Sequence, residues 1–334
     1  MDYGPSTLPA MASRVPLPQI SSRAWEHPAD RAALNTLRAL PGFDDIVRKV
    51  AGFFGERGIR QLFLGDSVKV TASQRPRLNV MWTEVIETLD WPERPELYVT
   101  QTPIVNAMAV GFDHPFVIVH SGMLETLNDD ELRTVLGHEL GHIMSGHTTY
   151  STIAIILMYF GLSNLPFLAA AAILPFQLAL LEWHRKSEFS ADRAGLLVAQ
   201  ELNVSMSTEM KLAGGREFGD ELRVEEFIRQ AEQYETGGGA WDTILKILNT
   251  VMRTHPMHTV RAAELLRWYR SGDYEAILAG TYLRRGQSDQ DQPLSDDYVE
   301  AAGYYGSKTR ETVDTIKDGF NRARDAVNSA WRNR

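Results

Sequence analysis

The amino-acid sequence predicts an α+β fold that is mainly helical, with a small sheet beside one central helix. Three observations predict it. Apolar residues recur at helical spacing through most of the flanking sequence. Three short runs between residues 96 and 120 read as strands, bounded by Pro and Gly. Directly after them, Asn128 to His147 reads as one well-capped amphipathic helix.

The stretch 1–22 holds Pro5, Pro9, Pro16 and Pro18 and is expected to be a disordered lead-in. Helices are expected over Asp30–Leu40, stopped by Pro41-Gly42, over Asp44 to about Gly55, and over Gln74–Leu89. Glu96–Thr100 and Pro115–His120 are expected as strands, with Asn106–Ala109 as another between them. An exposed edge strand there could bind a peptide by strand addition. His114 and His120 read as surface or structural residues.

The central helix carries chemistry. Asn128 is a good N-cap, Glu131 sits at the capping-box position, and Asp129 and Asp130 suit the positive end of the helix dipole. His138-Glu139-Leu140-Gly141-His142 is H-E-x-x-H. One turn of helix separates the two histidines, so they share a face and can hold one Zn²⁺. Glu139 lies about 100° round the helix from His138, within reach of a water beside the metal. Leu132, Leu136, Leu140 and Ile143 form the core side. Gly137 and Gly141 leave a flat strip for close packing by another element. His147 is expected at the helix C-terminus and not as a ligand, because it lies about 180° round from His138.

Thr148–Leu181 has no charged residue in 34 positions. Ser163-Asn164-Leu165-Pro166 breaks it into halves of about 22 Å of helix each, short of the ~30 Å hydrocarbon core of a bilayer. A buried helical hairpin, a dimer interface and a shallow membrane contact all stay open. Glu182–Ala199 returns to a charged amphipathic helix. In it Glu188 and Asp192 are one turn apart, so Glu188 can be the third, carboxylate ligand and Asp192 can orient a ligand imidazole.

Further on, Gly237-Gly238-Gly239 is a break between helices. Thr254-His255-Pro256 precedes a helix that runs to about Tyr269, and His255 is a candidate donor to a developing oxyanion or a cover for the metal. Residues 286–296 are polar and Asp-rich, a linker. Residues 297–334 carry Val313, Ile316, Phe320, Val327 and Trp331 at helical spacing among basic residues, an amphipathic tail helix. The domain expected is therefore 23–285, with a catalytic core at about 97–261 and the apolar insert at 148–181.

Composition narrows the classes. There are no cysteines, which excludes disulfides, a cysteine-zinc ribbon and a thiol nucleophile. The net charge of −9 argues against nucleic acid as a partner. Residues 1–22 show no secretory pattern, so the expected location is intracellular and cytoplasmic, with membrane association open through 148–181 or the tail helix.

In their order and spacing, Asn106-Ala107, the His138–His142 motif ending at His147, Glu188–Asp192, and Thr254-His255-Pro256 with Arg261 resemble the HtpX/CAAX-prenyl-protease-like family of gluzincin zinc metallopeptidases. The resemblance covers about Leu97 to Arg261. It implies a zincin-like catalytic domain and a zinc metalloendopeptidase with one Zn²⁺ per chain. It also implies His138, His142 and Glu188 as ligands, Glu139 as general base, and Asp192 and Arg261 behind them. Asn106 and Ala107 would belong to a substrate-binding edge strand, and His255 to the catalytic set. Protein or peptide substrates follow, with protein quality control as a setting and a homo-oligomer open. The rival expectation is a latent zinc-binding scaffold or chaperone-like protein that binds through the apolar insert and the tail helix.

Overall fold

The computed structural model describes residues 14–160, 167–216, 221–236 and 257–287. The expectations for the 163–166 break, the 237–239 break, His255 and the tail helix fall outside these residues, as does most of the linker.

Four strands form one mixed sheet: β1 (Ser67–Lys69), β2 (Glu96–Thr100), β3 (Ala107–Val110) and β4 (Phe116–His120), in the order β1-β2-β4-β3. β2 and β4 run parallel, with Tyr98 opposite Ile118, while β3 runs antiparallel to β4, with Ala107 opposite Val119. β3 is therefore an edge strand, as expected. β4 is buried on both faces. Val117 and Val119 enter the main core with Leu136 and Leu140, whereas Phe116 and Ile118 meet Ile59 and Ile156 on the other side. Alternating side chains of one strand thus tie two layers together.

Of the helices α1 (Pro28–Arg38), α2 (Phe43–Leu64), α3 (Pro76–Thr88) and α4 (Ser121–Thr126), α2 and α4 touch the sheet, whereas α1 and α3 pack mainly on the helices described next. α2 runs past the predicted stop. Gly55 takes φ 56, breaks the helical run, and helix resumes behind it. Glycine alone adopts that backbone cheaply, so the chain kinks there instead of ending the element.

α5 (Asp129–Met144) is the central helix. Asn128 accepts from the backbone N–H of Asp130 and Glu131, and Glu131 returns a hydrogen-bond acceptor to the Asn128 N–H, which completes the capping box. α6 (Thr148–Phe160) follows, then α7 (Phe167–Ala199). The second apolar limb and the Glu188–Asp192 helix are thus one continuous helix. The change from apolar to charged residues near Glu182 marks a change of surroundings, not an element boundary.

α5 and α7 lie unusually close. A Cβ on Gly141 would stand 2.5 Å from the Ala194 Cβ, one on Gly137 2.7 Å from Val198, and one on Gly195 2.9 Å from the Thr134 carbonyl. The glycine strip on one helix therefore meets small residues on the other. This contact sets the metal-ligand candidates of the two helices against each other.

The described residues of α6 and the first part of α7 pack over the N-terminal helices. Ile153, Ala154, Leu157, Leu180 and Trp183 bury against Leu37 and Phe43. Among the described residues no helix is long and apolar enough to cross a membrane. The expected disorder of 1–22 needs correction over 14–22. Leu17 and Ile20 are fully buried in the main core, Leu17 N–H bonds Thr88 O at 2.8 Å, and Ile20 bridges Arg284. A turn closed by the Ile20 N–H on Leu17 O at 3.2 Å, with Gln19 at φ 58, lets both apolar side chains reach the core without a regular element.

The remaining helices are α8 (Leu202–Gly214), α9 (Val224–Thr236), α10 (His258–Ser271) and α11 (Asp273–Leu278). α8 and α10 pack against the α5/α7 pair and close the side of the cleft opposite β3.

Candidate metal centre

Three donors converge between α5 and α7. His138 Nε2 and His142 Nε2 are 3.1 Å apart. Glu188 Oε1 lies 3.2 Å from His142 Nε2, and Oε2 lies 3.7 Å from His138 Nε2. All the donor atoms fall within 4.8 Å of one another, a set that could hold a metal ion. The fit is chemical as well as spatial. A tetrahedral ion with bonds of about 2.0–2.1 Å spaces its ligand atoms by roughly 3.3 Å. The side chains of His142 and Glu188 are 8% and 2% exposed, against 12% for His138, so the centre opens to solvent on the His138 side.

Each imidazole is held from behind. His138 Nδ1 is 2.9 Å from Asp192 Oδ1. Asp192 in turn takes a forked pair of bonds from Arg261, whose Nε donates to Oδ2 at 2.9 Å and whose Nη2 donates to Oδ1. Burial works to raise the Asp192 pKa, but the Arg261 charge and its hydrogen bonds overcome this and hold it at about 2. Arg261 also reaches Glu209 Oε1 at 3.2 Å and Glu188 Oε2 at 3.6 Å, so one guanidinium faces three buried carboxylates. Burial pushes His142 down to about 4, with Glu188 opposing and the His138 and His147 charges adding to the lowering, which keeps the ring neutral at neutral pH.

A cavity of about 150 Å³ lies in front of the donors, lined by Asn106, Ala107, His138, Glu139, Glu188 and His258 among others. That volume suits one side chain or a few waters. Glu139 is buried in its wall, and the start of β3 forms the opposite lip. The structure thus brings His138, Glu139, His142, Glu188, Asp192, Arg261, Asn106 and Ala107 to one place. His255 lies outside the described residues.

The helical placement of His147 needs correction, while the ligand set of two histidines and Glu188 stands without it. α5 ends at Met144, and Gly146 takes φ 68. The Gly146 N–H bonds Ile143 O at 3.1 Å and the His147 N–H bonds His142 O at 2.9 Å, which is a Schellman turn. The turn swings His147 back, so helical angles do not apply to it. Its ring is buried, with Nδ1 3.0 Å from His142 Nδ1 and Nε2 3.0 Å from Asp30 Oδ2. The sequence signal was there: Ser145-Gly146 is a helix stop. His184 was also missed. It sits one turn before Glu188, stacks on His142 with centroids 6.3 Å apart, and brings Nε2 to 3.8 Å from Glu188 Oε1.

A small mixed sheet beside a helix that carries H-E-x-x-H, with a carboxylate donor from a second helix, is the zincin-like class of metallopeptidase. The family model Peptidase family M48 matches residues 72–269. The chain is 35% identical over 260 residues to Plastoglobule-localized metallopeptidase 48, chloroplastic, of Arabidopsis thaliana, across 76% of this chain and 74% of that protein. It is 30% identical over 182 residues to Protease HtpX homolog 2 of Methanosarcina mazei, across 46% of this chain and 61% of that one. Against the Protease HtpX homolog of Tropheryma whipplei strain Twist, 94 residues are 35% identical, across 28% and 32%. The match therefore spans less than two thirds of these HtpX homologues. No solved structure matches the chain. The chain belongs to peptidase family M48 and is a metalloprotease.

Proposed function

We propose that the protein is a zinc-dependent endopeptidase acting on extended protein segments, with His138, His142 and Glu188 as the zinc ligands. The convergence of two imidazole Nε2 atoms and one carboxylate, each imidazole backed at Nδ1, carries this reading. Bound Zn²⁺ supplies Lewis acidity, which acidifies a water and polarises a peptide carbonyl. The chain's own residues do the rest. Asp192 accepts from His138 Nδ1–H, which leaves the Nε2 lone pair facing the centre. Arg261 keeps Asp192 ionised for that task. Glu139 takes a proton from the attacking water, holds it on its carboxyl, and delivers it to the departing amine.

The substrate lies extended along the free edge of β3, pairing with backbone near Asn106 and Ala107, and one side chain enters the cavity. His255 keeps its proposed place as a donor to the oxyanion. The domain division is part of this reading, with the start moved from 23 back to about residue 14 by the buried Leu17 and Ile20, and with a linker and a tail after it. Protein quality control is the proposed setting, by analogy with the family.

Casein cleavage by wild type and Glu139→Gln, with zinc content determined on both, tests the reading. Cleavage lost in the variant, with about one zinc per chain in each, is the expected result. Undiminished cleavage by Glu139→Gln would remove Glu139 as the base.

A further inference from the structure

The site has a second arm that starts outside the matched region. Asp30 lies on α1, well before residue 72 where the family match begins. Its carboxylate is buried and held from several sides. Trp183 Nε1 donates to Oδ1 at 3.0 Å, Ser190 Oγ donates to Oδ2 at 2.6 Å, and His147 Nε2 lies 3.0 Å from Oδ2. The His147 ring is clamped edge-on by Trp183, with centroids 5.5 Å apart.

Proton placement along this line follows from donor and acceptor chemistry. The Nδ1 atoms of His142 and His147, 3.0 Å apart, can bond only if one carries the hydrogen and the other the lone pair. An ionised carboxylate only accepts, so His147 donates to Asp30 from Nε2. A neutral imidazole then has its acceptor at Nδ1. When His142 ligates through Nε2, its Nδ1 carries the hydrogen and donates to the neutral His147 ring, with the Nε2 lone pair facing His138 and Glu188.

We propose that Asp30 and His147 form a positioning relay that fixes the tautomer and ring orientation of His142 and so strengthens metal binding. The proposal rests on the reading of His142 as a ligand. The two ligand imidazoles then have matched supports: His138 ends directly on Asp192, and His142 ends on Asp30 through a second imidazole. The N-terminal helix becomes part of the metal site, and Ser190, two residues from Glu188, ties it to the ligand helix.

The test is zinc affinity, measured by competition with a chromophoric chelator, together with the melting temperature of the zinc-free proteins. A glutamine amide offers an acceptor oxygen and a donor nitrogen at nearly the spacing of Nδ1 and Nε2. His147→Gln is therefore expected to bind zinc within about 3-fold of wild type, and His147→Leu about 10–100-fold more weakly. Asp30→Asn is expected to lose about 10-fold, because an amide N–H facing His147 reverses every donor along the line. Equal zinc loss in the Gln and Leu variants, or wild-type affinity in Leu or in Asp30→Asn, overturns the relay.

If His147→Leu does not fold, the Gln and Asn variants decide on the same terms. His142→Ala separates the two proposals. If it binds zinc as wild type does, His142 is not a ligand and the functional reading falls with the relay. If it loses zinc while His147→Leu keeps it, only the relay falls.

Discussion

Arg261 and Asp192 form a buried, forked ion pair directly behind His138, with Nε 2.9 Å from Oδ2. Both side chains are almost fully enclosed, at 8% and 4% exposure. Removing one member leaves the other charge buried without its counter-ion. Arg261→Met is therefore expected to cost about 3–5 kcal/mol of stability, measured by urea unfolding of the zinc-free protein. Arg261→Lys keeps the charge but cannot make the fork, so it is expected to fold and to bind zinc about 10-fold more weakly. Wild-type stability in Arg261→Met would show that Asp192 is not held ionised by this contact.

The contact of α5 with α7 makes a separate prediction. Gly141→Ala puts a Cβ 2.5 Å from the Ala194 Cβ, backbone-borne atoms that cannot rotate away. Overpacking of this kind costs about 1–3 kcal/mol and pushes Glu188 away from the histidines. Ala194→Gly alone costs about 1 kcal/mol of helix propensity. The double substitution restores the space, so a double-mutant cycle on melting temperature and zinc affinity is expected to show strong positive coupling. Additive losses would mean that the helices relax freely at this point.

Gly146 makes the sharp turn that returns His147 to the site. At φ 68, any side chain there is strained, by about 1–2 kcal/mol. Gly146→Ala is expected to lower stability by that amount and to weaken zinc binding more than its stability loss accounts for, because His147 moves with the turn. Unchanged zinc affinity in a folded Gly146→Ala protein would count against the turn's role.

His27 gives a pH dependence away from the metal. Its Nδ1 caps α1 by accepting from the Ala29 N–H, and burial pushes its pKa from 6.5 to about 4, with Glu264 opposing. A base whose folded pKa is depressed is protonated first in the unfolded chain. The stability at stake is present in full above pH 6.5 and is lost as pH falls toward 4, amounting to about 3 kcal/mol at most. Glu264, held at about 2 against burial by His27 and Arg267, adds loss in the same direction at lower pH. His27→Asn keeps a capping acceptor and removes the titration. Its urea midpoint is expected to fall less between pH 7 and pH 4.5 than that of wild type. An identical fall would place the acid sensitivity elsewhere.

Much of the site was legible because its signals are local. The capping box at Asn128 and Glu131, the one-turn spacings of His138–His142 and Glu188–Asp192, and the glycine strip each lie within a few residues. Local rules of helix geometry are enough to read them. The strands β2, β3 and β4 were legible for the same reason. β1 was not: it has three residues, is largely exposed, and gains its identity only by pairing with β2. α2 beyond Gly55 was lost because a glycine stop and a glycine kink look alike in sequence. The continuity of α7 was hidden by its change of surroundings. Asp30 had no signal at all, since a buried carboxylate on a helix reads as a solvated one until His147 and Trp183 are seen around it.

His138, His142 and Glu188 are proposed to hold one zinc ion. Zinc-edge anomalous diffraction from crystals of the zinc-loaded protein tests it most directly. One strong peak is expected within about 2.0–2.2 Å of both Nε2 atoms and a Glu188 oxygen, absent from crystals of Glu188→Ala. A peak elsewhere, or one that survives unchanged in Glu188→Ala, would rule out this ligand set.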